Sequence, residues 1–364
     1  MIRASYRYFI RRLLARLRRG RHIQSAANLS PSLRIKNEIR NAVPSQRIRN
    51  TQTLDEWQVS GRLALTTLLG LNQLPQRKLT KVVSKWSKYL DLGEVKKHYL
   101  IYDDNSQIPI YLASPHNLDE VKGTIICLQG HTSGMHVSIG LDSSESYPFD
   151  TGVKSLDIAQ QALSNGYRAI CVEQEGLGER REHQLKRVAP HPCHDAAMHR
   201  LLLGQTLMAV RIDDVLQVIQ YLEESEQIAR PLGVMGNSLG GSVSMFVACL
   251  TESVHFAVLS CCISQQRESL FSTYHCSDLY IPRLTLHFDT SDILGLIARK
   301  PLILATGVND PIFPLGGFRQ AYSAAKKLYR IADAESQISA VIGHGGHQFY
   351  GSLIFPELRR ILGN

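Results

Sequence analysis

Apolar positions along the chain follow two different spacings, and these predict the elements of the fold. Helical spacing in residues 53–90 predicts two amphipathic helices. Their apolar positions are Trp57, Leu63, Leu65, Leu68 and Leu69 in the first, and Leu79, Val82, Val83, Trp86 and Leu90 in the second. From Val95 the pattern becomes that of strands. His98–Tyr102 and Gln107–Leu112 flank the turn sequence Asp103–Ser106, which predicts a β-hairpin.

Beyond this hairpin, short apolar runs alternate with segments long enough for helices. The runs are Thr124–Leu128, Arg168–Glu173, Leu232–Gly236, Phe256–Ser260, Pro301–Thr306 and Gln337–Ile342. The predicted helices are Val153–Asn165, His194–Ser225, Ser238–Leu250, Leu315–Tyr329 and His347–Leu362. This alternation predicts an α/β fold, with a mainly parallel sheet covered by helices on both faces. We divide the chain into a basic arm and linker (1–52), a helical extension packing on the core (53–92) and an α/β domain (93–364).

Positive charge is concentrated at the N-terminus. The net charge is +9, but residues 1–50 hold twelve arginines, one lysine and a single acid, Glu38, so the remaining chain is slightly acidic. This distribution argues against a nucleic-acid-binding protein. The Arg-rich residues 1–22 need a separate explanation. They fit a solvated tail or a helix packed on the body, an interfacial helix contacting anionic membrane, or a mitochondrial presequence. No apolar run is long enough for a transmembrane helix.

The seven cysteines indicate a reducing compartment. Their number is odd, and four of them lie in or at the end of apolar, strand-like runs, where a free thiol behaves as a small hydrophobic group. No Cys-x-x-Cys pair occurs, so a zinc ribbon is not predicted. Together these features favour a cytoplasmic protein, with membrane association through the basic arm as an additional hypothesis.

A Gly-x-Ser-x-Gly sequence around Ser238 is the first candidate for chemistry. The apolar run Leu232–Met235 precedes it, and a helix-compatible segment follows it. A serine in a sharp strand-to-helix turn is exposed at the top of a sheet, while glycines at 236 and 240 avoid clashes across the turn. Ser238 is therefore the predicted nucleophile. The alternative is a helix N-cap serine in a glycine turn.

A serine hydroxyl needs a base, and the base needs an acid that orients it. In proteins with this type of turn, the acid follows the serine along the chain, and the histidine follows the acid. Asp310 comes directly after an apolar run, in a Gly/Asn/Pro loop, and is favoured over Asp289 and Asp292, which follow no clear strand. His347 is favoured as the base over His344 in the same glycine-rich loop.

Backbone N–H groups are the predicted donors to a developing oxyanion. One donor is Leu239, the residue after the serine. The other comes from the loop Gln129–Gly134 after the first long core strand, where His131 is favoured and Thr132 is the alternative. Neither a metal nor an organic cofactor is needed for this chemistry.

Several sequence blocks together resemble the α/β-hydrolases of the acetyl xylan esterase and dienelactone-hydrolase-like group over residues 53–362. The blocks are Cys127–His131, Glu173–Arg180, Gly236–Gly241, Asp310–Pro314 and Gly345–Phe349. The resemblance implies an α/β-hydrolase fold and a triad of Ser238, Asp310 and His347. In the oxyanion loop Gln129 stands where the family usually has histidine. Dienelactone hydrolases use a cysteine nucleophile, so their substrate is not carried over.

The resemblance implies a serine hydrolase that cleaves a small-molecule carboxylic ester, with acetyl esters as the first candidates. Thioesterase, peptidase or acyltransferase chemistry on the same triad stays open, and so does a non-catalytic binding protein on this scaffold. Residues 53–90 and 180–192 are expected to shape the substrate pocket. The sequence does not identify the acyl and alcohol groups, because loops choose them within a shared fold.

Overall fold

A computed structural model describes residues 31–40, 42–49, 51–146, 156–182, 191–225 and 227–363. The chain divides into two units, Met1–Val43 and Pro44–Asn364. In the first, helix α1 spans Pro31–Arg40 and has no buried residue. The basic residues 1–22, with their predicted helix, lie outside the described residues. Within the described part of the chain, no helix has both the length and the apolarity needed to cross a membrane.

A nine-stranded sheet forms the centre of the second unit. The strands are β1 Leu79–Leu90, β2 Gly93–Tyr102, β3 Gln107–Pro115, β4 Thr124–Leu128, β5 Arg168–Val172, β6 Leu232–Asn237, β7 Phe256–Ser260, β8 Leu302–Gly307 and β9 Ile338–Gly343. Their order across the sheet is β1-β2-β3-β5-β4-β6-β7-β8-β9. The contacts among β1, β2, β3 and β5 are antiparallel, and all others are parallel. The predicted mainly parallel α/β sheet and the β2–β3 hairpin are confirmed.

Helices cover both faces of this sheet. They are α2 Leu54–Leu69, α3 Ile158–Ser164, α4 His194–Leu202, α5 Leu207–Glu224, α6 Leu239–Leu250, α7 Leu284–His287, α8 Thr290–Leu296, α9 Leu315–Ile331 and α10 Gly351–Leu362. Alternate residues of β4 separate the two cores: Ile126 and Leu128 pack with α2, α5, α6, α8 and α9, while Ile125 and Cys127 pack with α3 and α10. Every residue of β4, β6, β7 and β8 is buried, as expected for strands covered on both faces.

The prediction of a second helix around residues 79–90 is wrong, because these residues form β1. Irregularities in its pairing with β2 lie between Leu79 and Lys81 and between Ser84 and Trp86. Leu79 and Val82 therefore pack against one core, and Trp86 and Leu90 against the other. Bulges shift the two-residue alternation of a strand, and here they produce the three- and four-residue spacing of a helix. The helical part of the predicted extension ends at Leu69.

Three further helices differ from their predicted bounds. Helix α3 begins at Ile158, after the non-helical residues 156 and 157 of the predicted helix Val153–Asn165. The predicted helix His194–Ser225 is divided into α4 and α5 by residues 203–206, where Gly204 adopts φ +70° and Thr206 caps α5 by accepting a hydrogen bond from the Ala209 N–H at 3.0 Å. The last predicted helix begins at Gly351 rather than His347. His347 therefore lies in the loop before α10, and its backbone is not held in a helical conformation.

Helix α2 is part of the sheet-containing unit. A capping box between Thr53 and Glu56 fixes its start. Trp57, which is 1% exposed, donates from its indole N–H to the Gln46 carbonyl at 2.5 Å and lies against Gly295 of α8. Gln58 donates to the Gly295 carbonyl at 3.0 Å. The helix is thus anchored by apolar and polar contacts.

Replacement of Trp57 by alanine should lower the free energy of unfolding by about 3–5 kcal/mol, because it leaves a large cavity between α2 and α8. Urea unfolding followed by circular dichroism measures this change. Val59→Ala on the exposed side of the same helix is the control and should change stability by less than about 0.5 kcal/mol. Equal unfolding midpoints for the two variants would show that α2 does not belong to the core.

Candidate active site

Ser238 occupies a strained turn between β6 and α6. Its backbone angles are φ 57° and ψ −122°, in a region that non-glycine residues rarely adopt, at a typical cost of about 1–3 kcal/mol. A Cβ on Gly236 would lie 2.2 Å from the Gly240 carbonyl carbon, and one on Gly240 would lie 2.0 Å from the Leu128 carbonyl oxygen. Glycine is therefore required on both sides of the serine. The Ser238 N–H donates to the Ser260 carbonyl at 2.8 Å, which fixes the turn against β7.

Asp310 lies in the loop after β8 and has both carboxylate oxygens occupied. Its Oδ1 accepts from the N–H groups of Ile312 at 2.8 Å and Phe313 at 3.0 Å, and its Oδ2 is 2.8 Å from His347 Nδ1. Burial would raise the pKa of Asp310, but the contact with His347 and the backbone donors hold it below its usual value. The carboxylate is therefore ionised and positioned to orient the imidazole.

His347 is the histidine that the structure brings to Asp310. His344 is exposed and has no such contact with Asp310 among the described hydrogen bonds. Phe313 stacks on the His347 ring with centroids 5.9 Å apart and planes 16° apart. With Nδ1 directed at Asp310, Nε2 is the ring nitrogen left for a substrate or a serine hydroxyl. Of the two candidate histidines, His347 is the one that is hydrogen-bonded to Asp310.

The loop of His347 and the turn of Ser238 meet at the end of β7. The Gln348 carbonyl accepts from Cys261 Sγ at 3.1 Å and from Ser260 Oγ at 3.5 Å, while the Ser260 carbonyl holds the Ser238 N–H. Parallel strands end at the same edge of a sheet, and the neighbouring strands β6, β7, β8 and β9 bring the loops of Ser238, Cys261, Asp310 and His347 there side by side. Cys261 is a neighbour of the site that sequence reasoning did not identify. The φ of Cys261 is 49°, in the left-handed region that residues other than glycine rarely adopt.

The loop after β4 lies over Ser238. A Cβ on Gly130 would be 3.1 Å from Ser238 Cβ and 3.8 Å from Ser238 Oγ. His131 and Thr132 follow directly, and Leu239 is the first residue of α6, where backbone N–H groups have no partner within the helix. The predicted donors Leu239 and His131 therefore lie on the two segments that border the serine. The His131 side chain points elsewhere: its Nε2 is 3.0 Å from Asp278 Oδ2.

Glu173 binds this loop through hydrogen bonds and is not among the site residues that the sequence predicts. It is 1% exposed and accepts hydrogen bonds from Gln129 Nε2 and the Met135 N–H, both at 3.1 Å. Gln174 donates to the Gln129 carbonyl at 2.7 Å. Burial raises the pKa of Glu173 to about 7, although the Met135 N–H acts against the shift. The signal in the sequence is Gln129 itself, a buried amide that needs a partner.

Comparisons with known proteins show which proteins this chain is similar to. No family model matches the chain. It is 24% identical over 306 residues to YtaP of Bacillus subtilis (strain 168), whose name assigns it provisionally to the hydrolases; the alignment covers 83% of this chain and 97% of YtaP.

Solved structures extend this result. A protein of Bacteroides fragilis NCTC 9343, described provisionally as an acetyl xylan esterase, has a TM-score of 0.74 at 17% identity, with 93% of this chain and 97% of that chain covered. A glucuronoyl esterase from Solibacter usitatus has a TM-score of 0.59 at 13% identity, with 88% and 96% covered. The predicted α/β-hydrolase fold and the resemblance to esterases with this fold are confirmed.

The raised pKa of Glu173 predicts a pH-dependent contribution to stability. The folded protein holds the Glu173 proton up to about pH 7, whereas the unfolded chain loses it near the ordinary value of 4.5. The Glu173 contribution should therefore be full below about pH 4.5 and decline as pH rises to about 7, by a total on the order of 3 kcal/mol. Urea unfolding across this range measures it.

Glu173→Gln should remove this decline, so the stability difference between wild type and variant should change steadily with pH. Glu120→Gln, an exposed position, is the control and should follow wild type at every pH. A Glu173→Gln profile parallel to that of wild type would contradict the account.

Proposed function

We propose that the protein is a serine hydrolase that cleaves carboxylic esters, with Ser238 as nucleophile, His347 as base and Asp310 as the orienting acid. The observation that carries the proposal is the strained backbone of Ser238, at the same sheet edge as the hydrogen-bonded pair of buried Asp310 and half-buried His347. Strain at a surface turn persists where surrounding structure enforces it, and it is common at catalytic groups. YtaP and the structural neighbours, named as hydrolase and esterases, support an enzyme acting on esters.

The first half of the proposed reaction forms an acyl-enzyme. His347 Nε2 takes the proton of the Ser238 hydroxyl while Oγ bonds to the carbonyl carbon, and Asp310 stabilises the imidazolium that results. The carbonyl oxygen becomes an oxyanion held by the N–H groups of Leu239 and His131, with Thr132 as the alternative second donor. The C–O bond to the alcohol then breaks, and the alcohol leaves with the proton from His347.

The second half returns the free enzyme. Water attacks the acyl carbon and gives a proton to His347, and a second tetrahedral oxyanion forms at the same N–H donors. Its collapse breaks the bond to Ser238 Oγ, which recovers the proton from His347. The carboxylic acid product leaves, so the two half-reactions together add one water across the ester.

A cavity beside the site accounts for binding of the acyl group. Phe313, which stacks on His347, forms part of its wall, with Met245, Leu270, Leu279 and Ile281 supplying other apolar parts. Ser242 and Gln266 contribute polar side chains to the wall. Because apolar side chains dominate the wall, we propose that the cavity receives the acyl chain, while the alcohol faces the open side of the sheet edge.

Hydrolysis of p-nitrophenyl acetate and of longer acyl esters tests the proposal. Ser238→Ala and His347→Ala should each lower kcat/KM on the order of a thousandfold or more, because each removes a group on which bond formation depends. His344→Ala is the matched control from the same loop and should retain wild-type activity. Circular dichroism confirms that each variant is folded.

Labelling with a fluorophosphonate probe distinguishes an enzyme whose substrate is not among the tested esters from a protein that has no reactive serine. Wild type should react at Ser238, and Ser238→Ala should not react, even if none of the tested esters is a substrate. Full activity of Ser238→Ala, or a wild-type protein that is folded yet inert to the probe, would overturn the proposed function.

A further inference from the structure

A second cluster of reactive side chains lies behind the loop that follows β4. It consists of His131, Cys193, Cys276 and Asp278, whose potential ligand atoms all lie within 4.8 Å of one another. In the part of the chain that the structure describes, one other group of this kind occurs, and it is made of Cys261, Asp310 and His347 at the proposed active site. The side chains of His131, Cys193, Cys276 and Asp278 take no part in the proposed reaction, in which only the backbone N–H of His131 acts, so their convergence needs its own explanation.

We propose that His131, Cys193, Cys276 and Asp278 bind one zinc ion. Two thiolates, one imidazole and one carboxylate are all ordinary zinc ligands, and four protein ligands are what a closed, tetrahedral structural site requires. Softer thiolate ligands favour zinc over magnesium or calcium, which prefer oxygen donors. The sequence predicts no zinc ribbon because its cysteines are not arranged as Cys-x-x-Cys. The fold brings together residues that lie far apart in the sequence.

Charge balance supports a divalent cation at this position. Arg211 is fully buried, and its Nη1 lies 2.6 Å from Asp278 Oδ2. Two thiolates and one carboxylate carry three negative charges, which Arg211 and a zinc ion together neutralise. Buried charges are stable in proteins when they are paired or coordinate a metal, so the complete set forms a neutral buried site.

The carboxylate of Asp278 provides an independent indication. Its Oδ2 accepts from Arg211 and contacts His131 Nε2 at 3.0 Å, but its Oδ1 is buried and has no hydrogen-bond partner among the described residues. Buried polar atoms in native proteins are nearly always satisfied. Asp278 Oδ1 is therefore a buried oxygen donor on a residue of the cluster, without a hydrogen-bond partner among the described residues.

The spacing of the donors is compatible with zinc after small shifts. Two sulfur ligands at the usual Zn–S distance lie about 3.8 Å apart in a tetrahedral site, and Sγ of Cys193 and Sγ of Cys276 are 3.2 Å apart. An opening of about half an ångström admits the ion. A Cys193–Cys276 disulfide is the competing outcome, but it would leave the buried Asp278 Oδ1 without a partner among the described residues.

The proposed ion would join three separate segments. Cys193 directly precedes α4, Cys276 and Asp278 belong to the turn around residues 277–279, and His131 follows Gly130 beside Ser238. His194 Nδ1 and Ser277 Oγ, 3.1 Å apart, already connect two of these segments. Zinc binding itself does not depend on the proposed hydrolase function. Its effect on the oxyanion loop does, and there the cluster would act by positioning the His131 N–H.

Metal content of the full-length protein tests the proposal without measuring activity. Protein purified under reducing conditions, without a metal-binding tag, should contain one zinc per chain by native mass spectrometry. After removal of zinc by a chelator, addition of Co²⁺ should produce thiolate-to-cobalt charge-transfer absorption and the visible bands of tetrahedral cobalt. The paired variant Cys193→Ala/Cys276→Ala should lose both signals.

Cys249→Ala removes a buried free cysteine outside the cluster and is the matched control; it should bind one cobalt as wild type does. If the paired variant does not fold, the wild-type cobalt spectrum still decides the question. A wild-type protein that is folded and reduced but gives no thiolate–cobalt band would overturn the proposal. So would a Cys193–Cys276 disulfide that excludes metal.

If ester hydrolysis is also observed, removal of zinc should lower kcat more than it raises KM, since the ion acts on the oxyanion loop and not on the acyl cavity. A folded, zinc-bound protein that does not react with the fluorophosphonate probe would contradict the proposed function and leave the metal site intact.

Discussion

The close approach of three backbone segments around Ser238 is the constraint on which the rest of the site depends. Gly240 fits directly against the end of β4, Gly236 fits against the first turn of α6, and Gly130 fits over the serine. Side chains at these positions would separate the segments. Because the segments touch, the serine is held in its strained conformation, and the loop after β4 is brought within reach of any group bonded to the serine. Burial of the four central strands supplies the rigidity that maintains this arrangement.

Much of this arrangement could be predicted because it is local in sequence. Ser238, Asp310 and His347 each follow an apolar run, and parallel strands deliver their following loops to one edge. The strand β1 could not be predicted in the same way, since its pairing irregularities mimic helical spacing and only the partner strand reveals them. Glu173 and the side-chain direction of His131 depend on contacts across 44 and 147 residues, which no local pattern encodes.

The loop after β4 is held in place by buried polar side chains. Glu173 and Gln174 fix it through Gln129, and Asp278 holds the side chain of His131. The backbone of the loop thus borders Ser238, while the side chains of Gln129 and His131 form hydrogen bonds with the buried carboxyl groups of Glu173 and Asp278. Gln129 is therefore paired with Glu173 and Gln174, and these hydrogen bonds hold the loop in position.

Direct trapping of the covalent intermediate tests the central claim. Wild-type protein mixed briefly with p-nitrophenyl acetate and quenched in acid should carry an acetyl group on the peptide that contains Ser238, with fragmentation locating it on that residue. Acetylation of the neighbouring Cys261 instead, or continued ester hydrolysis with Ser238 unmodified at every quench time, would contradict the account.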